Sequence, residues 1–313
     1  LILFCGRTAE ELRVAVEGLL ATLGTMRDLP LRHLACSVWA TARSARAALG
    51  TDALTLAVVA TSADDLAGKL AAARDRLVEG VTAIEDPRGI YFAATPLGRE
   101  GSIAFLFPGQ GSQYPDMLRD VTVAFEEVRR CFEVASRQLA ERFPQPLGAY
   151  VFPPPRFSPE EERAREDALK QTQVAQPSLG AADLAMFRLL GALGVAPQAT
   201  VGHSYGEYVA LCAAGVLTEE TLYELSEARG RAIVDSAGPE AGTMAAVQAG
   251  HDAVAAALEG CPEAWIANIN GPRQTVISGT RAGIDAAVKR LEERGLRARP
   301  VAVACAFHSP IIA

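Results

Sequence analysis

The chain is 313 residues long, enough for two or three domains, and its half-hydrophobic, one-fifth-charged composition is that of an ordinary globular protein. A formal net charge of −7 argues against nucleic acid or an anionic membrane surface as the main partner. No apolar run reaches the length of a bilayer span and no signal-like leader opens the sequence, so a cytoplasmic protein without a membrane partner is expected.

Residues 1–98 read as a small α/β unit. Residues 1–5 are an apolar strand. Thr8-Ala9-Glu10-Glu11 then opens a helix as a variant of the capping box, with Leu12, Val16, Leu19 and Leu20 as its apolar stripe. A second helix is expected over 34–48 and a strand over 53–60. A further helix, capped by Ser62, ends near Gly80, and a last strand covers 89–92. No polar cluster in this unit could do chemistry, which leaves it a packing or adaptor role.

Residues 103–107 form a hydrophobic strand that ends in Pro108-Gly109-Gln110-Gly111-Ser112-Gln113. Glycines flanking Gln110 allow backbone and amide to approach a ligand, although a plain glycine-rich turn has the same spelling. A helical region follows to about 143. Pro144, Pro146, Pro153, Pro154, Pro155 and Pro159 then mark 144–159 as loop, and the charged run 160–165 reads as the solvated start of a helix. After Pro177, residues 179–193 predict an Ala-rich helix, apolar on most sides and therefore buried.

The next stretch, Val201-Gly202-His203-Ser204-Tyr205-Gly206-Glu207, is a Gly-x-Ser-x-Gly pentapeptide between a β-prone run (199–201) and a helical pattern carrying Tyr208, Val209, Leu211 and Cys212. Strand, tight turn and helix are the context of a nucleophile elbow; a glycine-rich turn whose serine caps a helix is the plainer alternative. At a helix start the free N–H groups also favour a developing oxyanion. Helix 218–234 follows, with Arg229 and Arg231 towards its end, where complementing the helix dipole is their simplest role. From Gly242 the order β-α-β-β-α-β predicts a ferredoxin-like module: strand 244–247, helix 252–258, strands 264–269 and 275–278, helix 282–294, strand 299–306. The chain then carries Cys305-Ala306-Phe307-His308-Ser309-Pro310.

A serine nucleophile needs a base. His33 lies in the adaptor unit and His251 at a helix start in the small module, while His203 adjoins Ser204 where strand neighbours point to opposite sides. His308, just past a strand end, is the best-placed candidate. No acidic residue stands alone after a core strand between serine and histidine, as an α/β-hydrolase would require. The four histidines show no metal-ligand spacing, so no metal is expected. The six cysteines are scattered without a Cys-x-x-Cys pair and read as free thiols of a reducing compartment.

In order and spacing, Gly109-Gln110-Gly111-Ser112-Gln113, Gly202-His203-Ser204-Tyr205-Gly206-Glu207, Arg229 and Ala306-Phe307-His308 resemble the malonyl-CoA:acyl carrier protein transacylase family. The chain is similar to the acyltransferase domain of a type I polyketide synthase, and Tyr205 with the spelling Cys305-Ala306-Phe307-His308 leans the resemblance towards the enediyne-type iterative synthases. The organisation implied is a ketosynthase-to-acyltransferase linker over 1–98, a hydrolase-like large α/β subdomain over 99–241, the ferredoxin-like small subdomain over 242–303, and a return to the large subdomain at 304–313. The remainder of that subdomain is expected outside this sequence, leaving an open hydrophobic face.

The resemblance also implies roles. Ser204 would be the nucleophile and His308 the base, oriented by a backbone carbonyl instead of an acid. The backbone N–H groups of Gln110 and Tyr205 would form the oxyanion hole. Arg229 would pair with the free carboxylate of the substrate, with Gln176 supporting it, and His203 and Phe307 would line the site. Phe307 would fill the space of a 2-methyl group and favour malonyl over methylmalonyl. Cys305 departs from the histidine that usually opens this last motif. The domain itself would bind no cofactor: malonyl-CoA is the substrate, the phosphopantetheine thiol of an acyl carrier protein the acceptor, and a ketosynthase the neighbour. A serine hydrolase or thioesterase shares the elbow but has no use for a cation at 229. A non-catalytic docking scaffold would have no reason to keep the motif set.

Overall fold

The computed structural model describes residues 1–25, 30–96, 101–155, 157–238, 241–301, 303 and 305–312. Two compact units divide the chain between Gly101 and Ser102. The boundary expected at 98–99 lies outside the described residues.

In the first unit β1 (Ile2–Gly6) leads into α1 (Ala9–Thr25). The Thr8 hydroxyl accepts the Glu11 N–H at 3.1 Å, while the Glu11 carboxylate accepts from Arg7 N–H at 2.8 Å, one residue further back than in a capping box. The buried stripe of α1 is Leu12, Val16, Leu19 and Leu23, so Leu23 takes the place expected for Leu20. α2 (Leu31–Leu49) and β2 (Leu54–Val58) follow, then α3 (Ala63–Val78), whose Ser62 cap accepts from Asp65 N–H. β3 (Ala83–Asp86) and β4 (Ile90–Ala93) form a hairpin. The sheet runs β1-β2-β4-β3, antiparallel throughout, and Leu12, Leu56, Leu66 and Leu70 sit at the centre of its core.

The second unit starts with β5 (Ala104–Phe107), followed by α4 (Arg119–Ala124) and α5 (Glu126–Gln138). The proline-rich stretch expected to be loop contains α6 (Leu147–Val151). Pro146 stands just before this helix, where a missing N–H costs nothing, and Leu147 and Val151, one turn apart, bury themselves in the core. α7 (Pro159–Lys170) is the solvated helix expected, capped by Ser158. α8 (Thr172–Ala192) starts seven residues earlier than predicted and takes Pro177 inside it. Proline forgoes one backbone hydrogen bond there, but α8 is buried nearly all round, and that burial outweighs the loss.

Strand β6 (Ala199–Gly202) pairs in parallel with β5 and delivers the chain to α9 (Gly206–Ala213). α10 (Glu219–Ala237) ends three residues later than expected, so Arg229 lies in mid-helix, not in the last turn. The small module follows as β7 (Thr243–Val247), α11 (His251–Leu258), β8 (Ala264–Gly271), β9 (Gln274–Gly279), α12 (Arg281–Glu293) and β10 (Ala298–Val301). Its antiparallel sheet, ordered β10-β7-β9-β8, is the ferredoxin-like arrangement. The last strand ends at Val301, five residues short of its expected end. Around the parallel pair Leu106 (70% exposed) and Val201 (50%) face outward as apolar surface.

Candidate active site

The elbow glycines are packing necessities. A Cβ on Gly202 would lie 2.1 Å from the Glu207 nitrogen, and one on Gly206 would lie 2.1 Å from the Phe107 carbonyl oxygen. The turn therefore closes hard against β5, and Ser204 takes a left-handed φ of +52°. Such strain in a non-glycine residue persists only where the surroundings over-determine it. Because the strand ends at Gly202, the alternation expected to send His203 and Ser204 to opposite sides does not apply, and both line one cavity. The Tyr205 ring goes the other way, fully buried, with its hydroxyl 2.6 Å from the Ser226 oxygen.

His308 reaches Ser204 from the far end of the small module, with Nε2 2.8 Å from the serine Oγ. It too has a left-handed φ, +57°. The turn that carries it is held by Ala306 N–H donating to the Ala241 carbonyl at 2.6 Å and by the Ser309 hydroxyl donating to the Ala306 carbonyl at 2.7 Å. Burial, then the nearby positive charge of Arg229 and the neighbouring His203, push the His308 imidazole below its ordinary pKa. The neutral form, which can accept a proton, is thereby favoured. Among the described residues no carbonyl or carboxylate accepts from His308 Nδ1, so the orienting carbonyl that the resemblance implies is not among them.

Arg229 lines the same cavity, its guanidinium 5.7 Å from the Tyr208 ring centroid. Gly230 beside it has no room for a Cβ, which would fall 2.6 Å from Gln173 Cα, so α10 and α8 meet closely there. Two residues on, Arg231 is tied to buried Glu227 by a 2.9 Å bond from Nε. Among the described residues no carboxylate pairs with Arg229. Gln176, fully buried on α8, donates to Gln110 Oε1 at 3.3 Å, and Gln110 donates to the Thr172 hydroxyl at 3.2 Å. Gln176 thus braces the Gln110 loop and makes no bond to Arg229. Its own Oε1 is buried without a partner.

A Cβ on Gly109 would sit 2.5 Å from the His203 carbonyl and 3.3 Å from Ser204 Cβ, which places the Gly109–Gln110 loop directly against the serine. Among the described residues neither the Gln110 nor the Tyr205 backbone N–H finds a protein acceptor. The cavity, about 270 Å³, is closed by the small module through Met244, Ala246, Val276 and Val301. Phe307 and Cys305 pack with Ile233, Met244 and Val276 beneath it, and burial raises the Cys305 thiol to about 11, which leaves it inert at neutral pH. Asn268, Asn270 and Gln274 also line it and were not picked out from the sequence. Their signal is that asparagine is depleted from strands, yet β8 carries two. Among the described residues no three His, Cys, Asp or Glu side chains converge as a metal site requires.

A strained serine already bonded to a neutral imidazole can form a covalent acyl enzyme, and an unpaired guanidinium in the same cavity can hold an anionic substrate. Comparison with known proteins gives this chemistry a family. The profile of acyl transferase domains matches residues 104–313, and the chain belongs to that family. Mycoketide-CoA synthase of Mycobacterium tuberculosis is 35% identical over 240 residues; the match covers 76% of this chain and only 5% of that protein. The acyltransferase domain from the second module of the salinomycin polyketide synthase is 33% identical with a TM-score of 0.66, over 88% of this chain and 59% of that one. A malonyl-transacylase in complex with its type II acyl-carrier protein is 32% identical with a TM-score of 0.60, over 67% and 66%.

Proposed function

We propose that this chain loads a malonyl unit from malonyl-CoA onto an acyl carrier protein of a polyketide synthase, through an ester on Ser204. The observation that carries the reading is the cavity in which the bonded Ser204–His308 pair shares space with an Arg229 that no described carboxylate neutralises. A lipase or simple thioesterase has no use for such a cation. In the first half-reaction Ser204 Oγ attacks the thioester carbonyl and His308 Nε2 takes the hydroxyl proton. The oxyanion is held by the N–H groups of Gln110 and Tyr205 until the C–S bond breaks, and coenzyme A leaves with the proton from His308. In the second, the phosphopantetheine thiol gives its proton to His308 and attacks the ester, and the serine oxygen recovers the proton as it departs.

Arg229 would pair with the malonyl carboxylate, an anionic contact that fixes orientation. Phe307, packed against Met244 and Val276, leaves little room for a 2-methyl branch, which supports malonyl over methylmalonyl; overfilling such a pocket costs roughly 1–3 kcal/mol. No bound cofactor is needed for either half-reaction, and a cytoplasmic setting with a ketosynthase neighbour follows from the same reading. Intact-mass analysis after mixing with malonyl-CoA tests it. A malonyl adduct should form on Ser204, vanish in Ser204→Ala, and form about 10²–10⁴-fold more slowly in His308→Ala. An adduct on Cys212 or Cys305 instead would sink the proposal.

A further inference from the structure

The cavity carries a side-chain contact that the chemistry above does not use. The His203 ring crosses from the elbow to the small module, where its Nε2 lies 3.1 Å from Asn270 Oδ1 and 3.5 Å from Asn268 Nδ2. Asn270 Nδ2 donates in turn to Gln274 Oε1 at 3.3 Å. That orientation of the Asn270 amide presents its oxygen as the acceptor facing His203 Nε2, and at 3.1 Å, against 3.5 Å for the competing Asn268 amide nitrogen, it favours the tautomer with the proton on Nε2.

Strand β8 is built to make this contact. Its ladder with β9 slips twice, between Ile266 and Asn268 and again between Ile269 and Gly271, so Ala267 and Asn270 are each the extra residue of a bulge. Bulges free a residue from the ladder and re-aim its side chain, and they concentrate beside active sites. Asn270 is the freed residue of the second one, at the point where the strand passes the elbow. On the other side, a Cβ on Gly109 would stand 3.4 Å from His203 Nδ1 and 2.5 Å from the His203 carbonyl. The loop thus packs closely on the His203 backbone carbonyl, and the ring runs from beside Gly109 to the bulged strand. The His203 backbone is itself fixed, its N–H donating to the Phe107 carbonyl at 2.9 Å and its carbonyl accepting from Gly206 N–H at 2.9 Å. Only the ring has freedom, and Asn270 removes it.

We infer that Asn270 is a positioning residue. By holding the His203 ring as its Nε2–H tautomer, it keeps the Gly109–Gln110 loop seated against Ser204 and so fixes the Gln110 N–H where the oxyanion forms. Donors aimed in advance contribute to the transition state far more than to substrate binding, so a loosened loop lowers kcat and leaves KM nearly alone.

The kinetic arm of the test rests on the acyl-transfer reading; the spectroscopic arm does not. The imidazole ¹H–¹⁵N spectrum of the ¹⁵N-histidine chain should show His203 as the Nε2–H tautomer, and Asn270→Ala should turn that signal into a tautomer average. The same variant should lower the acylation kcat about tenfold while KM for malonyl-CoA stays within about twofold. Asn270→Asp retains an oxygen acceptor, so it should keep Nε2 protonated and recover most of the rate. An Nδ1–H tautomer in the unaltered chain overturns the inference, as does an Asn270→Ala protein whose spectrum and kcat are unchanged. A chain that is never acylated at all refutes the proposed function, and the inference is then judged on the spectrum alone.

Discussion

At the scale of single residues, the site works by placing charges and protons where water would otherwise compete. Arg229 sits mid-helix, well before the last turn where a helix dipole acts, so dipole complementation does not account for it. If it holds a carboxylate, stranding that partner costs on the order of 2–5 kcal/mol, so Arg229→Ala should slow malonyl transfer by about thirtyfold or more and leave acetyl transfer level. Equal losses with both donors would make Arg229 merely structural. The same residue bears on pH. Burial comes first among the causes that lower His308 below its ordinary 6.5, followed by Arg229 and then His203. The base works when neutral, so the acylation rate should fall only as pH drops through a value below 6.5. Removing the Arg229 cation takes away one of those causes, and the acid limb should move up. A pH profile of acylation in Arg229→Ala that keeps its limb in place would show that the guanidinium does not act on His308.

Among the elements, α8 is the one whose sequence hides a conflict. It is buried nearly all round, yet it carries Asp183, whose Oδ2 is buried without a hydrogen-bond partner. Burial raises this carboxyl from 3.8 to about 7. The folded protein therefore binds a proton that the unfolded chain releases, and stability declines as pH rises between those two values. Asp183→Asn removes the titration. It should match the parent near pH 4 and exceed it above pH 7 by a few kcal/mol at most, at ~1.4 kcal/mol per pKa unit. Denaturant unfolding at the two pH values measures the difference, and an equal gap at both would mean the carboxyl stays ionised. The hydrophobic periodicity of α8 was legible, but its start was not. Thr172 to Pro177 reads as a break because proline normally ends a helix, and only the depth of burial shows why the helix continues through it. α6 was missed for the same reason, and β3 because four residues carry too little alternation to stand out.

For the whole molecule, two units with separate cores imply separable folding. Residues 1–101 enclose their own cluster around Leu12, Leu56, Leu66 and Leu70. Expressed alone, they should unfold in one cooperative transition by circular dichroism; a molten baseline would show that the unit cannot stand by itself. The sequence by itself determined the order of elements in the small module and the elbow with its glycines, while Gln110, Gln176, Arg229 and Phe307 were pointed to by resemblance and Asn268, Asn270 and Gln274 not at all. The elements and the elbow follow from local spacing, which is written along the chain in periods of two and 3.6 and in the residues a tight turn demands. Only the tertiary structure decided that His308 comes within 2.8 Å of a serine 104 residues away, that Gln176 braces Gln110 and not Arg229, and that Asn270 faces His203. Each of those depends on a slipped register, a helix crossing or a strand end, and the energy that selects among such alternatives belongs to packing between segments far apart in the chain.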